Sequence, residues 1–169
     1  MAIVKPFAAY RPARDLVNKV AALPYDVMNT KEASELVKDN PYSFLNIDKP
    51  EIHVKDSSND ALYKYAASAL DKMIEDQILI QDEESFYIYG LRNQYTAQYG
   101  LVCCVSADEY NKGIIKKHEN TRADKELDRI KHVTYCKAHT GPIFLAYKGI
   151  EDFTNWMMTY VKNSPSIYS

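Results

Sequence analysis

The sequence predicts an α+β fold, a mixed β-sheet with helices packed on it, and three observations carry that prediction. Apolar residues recur at helical spacing in three separated segments near 57–76, 121–137 and 152–164. Two strand-like stretches, 86–91 and 98–107, flank Arg92-Asn93-Gln94 in the manner of a hairpin. No internal repeat, low-complexity tract or interdomain linker interrupts the 169 residues, so residues 1–169 are expected to form one domain, long enough to bury a core.

The elements follow in order. Residues 1–28 are punctuated by Pro6, Pro12 and Pro24 and precede any periodic segment. Asn29 and Thr30 then open a helix, with Glu32 in capping-box position, and Asn40-Pro41 stops it near Lys38. Residues 43–47 form a short strand candidate, and 53–56 a loop. Ser57 and Asp60 open the longest helix, through about Asp76, whose apolar stripe is Leu62, Ala66, Ala69, Leu70 and Met73. In the hairpin, Gly100-Leu101-Val102-Cys103-Cys104-Val105 is apolar enough for a central strand. Asn111-Lys112-Gly113 turns the chain. Thr121 and Asp124 cap the next helix, with a narrow stripe of Leu127, Ile130 and Val133. Gly141-Pro142 breaks it, residues 143–147 read as a strand, and a last helix from Asp152 carries Phe153, Trp156, Met157, Tyr160 and Val161 before Pro165.

Composition narrows the function classes. The net charge of −2 and a pI near 6.1 supply no global basic field for nucleic acid or an anionic membrane. Fourteen tyrosines against one tryptophan suit half-buried strands and a wet cleft, and an ordinary sheet surface equally. Adjacent Cys103 and Cys104 would point to opposite faces of a strand and make a poor disulfide, which with Cys136 indicates a reducing compartment. The opening MAIVKPFAAYRPARDL lacks the apolar core of a signal peptide, and no run approaches the ~20 apolar residues that span a bilayer. A cytoplasmic location and no membrane partner are expected.

Chemistry concentrates in the polar segment 116–129, which crosses a strand-to-helix junction. Helix N-termini present unpaired N–H groups and attract anions. Lys116, Lys117, Arg122, Lys125 and Arg129 around such an end can hold a phosphate, and Glu119 among these cations stays ionised and can act as a general base. Arg122, Lys125 and Arg129 would form one basic row down the helix, with Glu119 and Arg122 in a partly open cleft at its N-terminus. From charge alone, a solvated helix with an Arg122–Glu126 pair explains the segment better. His118, His132 and Cys136 lack ligand partners at a recognisable spacing, so no metal site is expected. His139-Thr140-Gly141-Pro142, Ala22-Leu23-Pro24-Tyr25-Asp26-Val27 and Asn40-Pro41-Tyr42-Ser43-Phe44-Leu45 each read as a tight turn or as a cleft wall.

These same residues carry a resemblance. ALPYDV at 22–27, NPYSFL at 40–45, YIY at 87–89, GLVCCVSADEY at 100–110, IIKKHENTRADKELDR at 114–129 and HTGPIFLAY at 139–147 resemble, in order and to about Tyr147, the bacterial and archaeal family labelled domain of unknown function 1015. Its members are more than twice as long, and their later half carries a D-G-H-H-R motif similar to the phosphate-handling loop of free serine kinases in the ParB and sulfiredoxin-like superfamily. The resemblance implies ATP- or ADP-dependent phosphorylation of free serine, with Mg2+. It makes Glu119 the candidate base and Lys117, His118, Arg122, Lys125, Asp128 and Arg129 its phosphate- or nucleotide-binding surround. His139 stands where the family pattern has Asn, and D-G-H-H-R is absent from these 169 residues. The chain is therefore expected to be the N-terminal portion of a larger family fold, inactive alone and without a tightly bound cofactor. The competing expectations are a non-catalytic interaction domain that docks a partner or forms a homo-oligomer through a Trp156 and Tyr160 stripe, and a ParB-like nucleic-acid module, which the charge disfavours.

Overall fold

The computed structural model describes residues 2–55, 60–118 and 120–168. Its elements in chain order are β1 (Val4–Lys5), β2 (Tyr10–Pro12), α1 (Val17–Val20), α2 (Thr30–Val37), α3 (Leu45–Asp48), α4 (Ala61–Glu75), β3 (Leu79–Gln81), β4 (Tyr87–Arg92), β5 (Ala97–Val102), β6 (Cys104–Val105), α5 (Ala107–Asn111), α6 (Ala123–Cys136) and α7 (Glu151–Asn163). Short 3-10 turns occupy Tyr25–Val27 and Pro50–Ile52. The fold is α+β. The sheets are three two-stranded pairs, β1–β6, β2–β3 and β4–β5, rather than one mixed sheet.

The chain divides into two compact units. Unit 1 comprises Met1–Tyr10, Gln81–Asn120 and Leu145–Ser169, and unit 2 comprises Arg11–Ile80 and Thr121–Phe144.

Unit 2 holds the core. Ala66, Leu70 and Met73, the expected stripe of α4, are buried with Val20, Ile47, Ile78, Leu79 and Cys136. A smaller cluster packs Ala33, Val37 and Leu45 with Tyr25, Met28 and Ile52 at its edge. The α2 start forms the capping box expected from Asn29 and Glu32. The Glu32 N–H donates to Asn29 Oδ1 at 3.0 Å and the Asn29 N–H to Glu32 Oε2 at 2.9 Å, so two otherwise orphaned donors are satisfied. The α4 start lies beyond Asp60, whose side chain makes no cap bond; Ser57 lies outside the described residues.

Unit 1 is built on β4–β5, an antiparallel hairpin pairing Tyr87 with Val102 through Arg92 with Ala97. Asn93 Oδ1 closes the turn by accepting from the N–H groups of Tyr95 and Thr96, both at 2.8 Å. This side-chain bridge is the local reason the chain reverses there. β1 pairs with β6, and the buried Glu109 anchors that end by accepting the Ile3 N–H at 2.6 Å. Gly113 takes φ +72°, the left-handed conformation the expected turn requires.

Four expectations are corrected. Residues 43–47 are a turn leading into α3 rather than a strand. Asn46 Nδ2 donates to the Pro41 and Ser43 carbonyls, local bonds that compete with a ladder. The Gly100–Val105 run is not central, since β5 pairs only with β4 among the described residues. Residues 143–147 adopt no regular structure. Finally, Arg122 rather than Thr121 is the N-cap of α6. That helix buries His132 and Cys136, while Leu127 and Ile130 of the expected stripe are each 56% exposed.

Candidate functional site

The α4 and α6 helices of unit 2 are joined by a polar seam. Tyr63 donates to Asp128 Oδ1 at 2.9 Å, Lys131 pairs with Asp60 at 2.7 Å, and Tyr135 donates to Asp60 Oδ2 at 2.9 Å. Tyr63 stacks on Tyr135 at 5.9 Å. Burial, then the hydrogen bond to Asp128, pushes the Tyr63 hydroxyl up to about 12, which keeps it a donor at neutral pH. Hydrogen bonds from Lys131 and then Tyr135 hold Asp60 below the usual carboxylate range.

Beside this seam lies a second cluster, assembled from four segments distant in sequence. The Arg129 guanidinium sits 4.6 Å from the centre of the Tyr25 ring and pairs with Asp128 at 3.2 Å. Lys49, itself buried, donates through Nζ to the Tyr25 carbonyl at 3.1 Å and pairs with Glu51 at 3.3 Å. Asp48 closes the α3 turn and is hydrogen-bonded to the Thr140 side chain. Burial raises its carboxyl above the ordinary value, against Thr140 and the charges of His132 and Arg129. His132, 1% exposed, donates from Nε2 to the Ile47 carbonyl at 3.0 Å. Tyr25, Asp48, Arg129 and Thr140 thus bring the ALPYDV stretch, the residues just after NPYSFL, the charged block and the HTGP turn into one unit.

The residues expected in a site fall as follows. Lys117 and His118 are exposed in unit 1, Lys117 with its ammonium 5.2 Å from the centre of the Tyr110 ring. Glu119 lies outside the described residues. Arg122, Lys125, Asp128 and Arg129 are in unit 2. Arg122 forks onto its neighbour Asp124 through Nε at 3.1 Å and Nη2 at 2.8 Å, rather than pairing with Glu126. Lys125 is exposed. The basic row is therefore largely neutralised along its own helix, with Arg122 held by Asp124 and Arg129 by Asp128. Asp48, Lys49, Tyr63 and His132 were not singled out as cluster residues by their spacing. The available signal was the I-D-K-P run following NPYSFL and the shared helix face of His132 and Cys136.

No group of three or more His, Cys, Asp or Glu side chains among the described residues is arranged to hold a metal ion. No helix among them is long and apolar enough to cross a membrane.

The molecule is an α+β protein in which Arg129 and the half-buried Asp48 meet Tyr25, Thr140 and the buried Lys49. It belongs to the DUF1015 family, proteins of unknown function, whose family model matches residues 4–169. Neither a curated protein nor a solved structure matches the chain.

Proposed function

We propose that this chain contributes the acid–base and anion-binding side of a small-molecule phosphotransferase, with free serine as acceptor and ATP or ADP as donor. The observation that supports this is the convergence of Tyr25, Arg129 and Thr140, from three segments of the family pattern, with Asp48, three residues past a fourth. The α6 start adds to it, because its first-turn N–H groups have no side-chain cap and lie beside Arg122 and Lys125. In the proposed step with ATP, Glu119 takes the proton from the serine hydroxyl as that oxygen attacks the γ-phosphorus. The bond to the bridging oxygen breaks and ADP leaves. With ADP as donor, the β-phosphoryl group moves and AMP leaves. Arg122, Lys125 and Arg129 balance the phosphate charge, and Asp128 orients Arg129. The described carboxylates do not form a metal cage, so Mg2+ would arrive bound to the nucleotide.

The test is an assay for released ADP or AMP with serine, run on this chain and on this chain joined to the later half of a longer family member carrying D-G-H-H-R. Serine-dependent release that Glu119→Gln abolishes while the fold is unchanged is the expected result. Release from neither protein rejects the reading.

A specific observation favours a second reading, a non-catalytic interaction domain. Tyr147, Phe153, Trp156 and Tyr160 form a continuous ladder with ring centres 6.2, 5.8 and 5.7 Å apart, and Trp156 and Tyr160 remain 53% and 52% exposed. Light scattering across a concentration series, with Trp156→Ser as control, tests self-association through this ladder.

A further inference from the structure

Within unit 1, Gly90 of β4 faces Tyr99 of β5 across the hairpin ladder, and Arg92, two residues on, faces Ala97. A β-carbon at Gly90 would stand 2.9 Å from Tyr99 Cε1, so the bare glycine lets the ring lie across the hairpin. Residues two apart on a strand share a face, and the Tyr99 hydroxyl reaches Arg92 there, accepting from Nη2 at 3.2 Å. The small Ala97 leaves Arg92 uncrowded by its cross-strand partner.

This end of the hairpin and the last turns of α7 line one cavity of about 530 Å³, within the ~300–1,000 Å³ of small-molecule sites. From α7 come Met158, Val161 and Lys162, spaced to share a helix face. The Thr159 hydroxyl is turned back on its own helix, donating to the Asn155 carbonyl at 2.8 Å. The lining thus joins two cations, a phenol and an apolar strip, and contains no acid. Arg122 and Arg129 are each neutralised by a neighbouring aspartate, but among the described residues neither Arg92 nor Lys162 pairs with a carboxylate. The bond to Tyr99 uses one guanidinium N–H of five, and the phenol that accepts it still has its own proton to give.

We propose that this cavity binds a small phosphate monoester with an apolar body. Near neutral pH such a monoester carries close to two negative charges, which the Arg92 and Lys162 cations match. Its three terminal oxygens accept from Arg92, Tyr99 and Lys162, while the apolar body lies on Met158 and Val161. A carboxylate brings half that charge and one oxygen fewer. No residue of the unit 2 cluster takes part, so the site stands independently of the phosphotransfer reading.

Calorimetric titration of the full chain with hexyl phosphate, at fixed ionic strength and about pH 7.5, tests the site. The expected result is saturable binding, with inorganic phosphate, hexanoate and hexanol each weaker by about tenfold or more. Arg92→Gln and Lys162→Gln should each weaken hexyl phosphate by about fivefold or more. Lys148→Gln, which removes an exposed charge outside the cavity, should leave binding unchanged. Binding of inorganic phosphate, hexanoate or hexanol as tight as that of hexyl phosphate overturns the proposal. So does an equal loss in Lys148→Gln, or no saturation with hexyl phosphate by about 10 mM. Should Arg92→Gln disturb the hairpin by circular dichroism, Lys162→Gln on α7 decides alone.

Discussion

At the residue scale, the environment decides what a side chain can do. Cys136 is buried, and burial, then the nearby Asp48 and Asp71 charges, pushes its thiol up to about 11. Cys104 is exposed. An alkylating reagent at neutral pH should therefore modify Cys104 in the folded protein and reach Cys136 only after unfolding, as peptide mass spectrometry can read. Equal modification of both in the folded state would contradict the burial of α6 against the core. Ile47 is fully buried within the main cluster. Ile47→Ala should cost about 2–5 kcal/mol in chemical denaturation, because it removes apolar contact and loosens the carbonyl that His132 uses. The polar cluster was only partly legible at this scale. Arg129 and Asp128 stood out as charges, whereas His132 gains its meaning from the Ile47 carbonyl 85 positions away in the chain, which no local spacing reveals.

At the element scale, the longer helices and the β4–β5 hairpin were readable, and the short strands and turns were not. The Asn29 capping box and the α4 stripe depend on residues three or four apart, so the sequence displays them directly. Asn29→Ala should remove about 1 kcal/mol of stability while leaving the rest of the fold intact, and a denaturant titration compared with the parent checks it. Burial on α6 does not follow its apolar residues. Its buried residues are a histidine satisfied by a backbone carbonyl and a cysteine, while Leu127 and Ile130 look outward. The 43–47 and 143–147 stretches have strand-like composition, yet strands need a ladder. Asn46 engages the backbone of the first locally, and the second joins no sheet among the described residues.

At the scale of the whole molecule, apolar burial is unevenly shared. Of the buried hydrophobic residues among those described, Met157 alone lies in unit 1, and the other eleven, from Val20 to Cys136, lie in unit 2. Unit 1 instead exposes Tyr89, Leu91, Tyr95, Trp156 and Tyr160. Hydrophobic burial is the main term opposing chain entropy, so backbone hydrogen bonds in unit 1 should open at lower free energy than those in unit 2. Hydrogen exchange should show the amides of α4 and the second half of α6 as the slowest, and those of the β4–β5 hairpin and α7 as markedly faster. A cooperative profile with equal protection in all four elements would show that the aromatic ladder of unit 1 is stabilised in solution beyond what its own burial accounts for. Such a result, with a molecular mass above 19.4 kDa by light scattering, would identify self-association as the source of that extra protection and favour the interaction reading over the catalytic one.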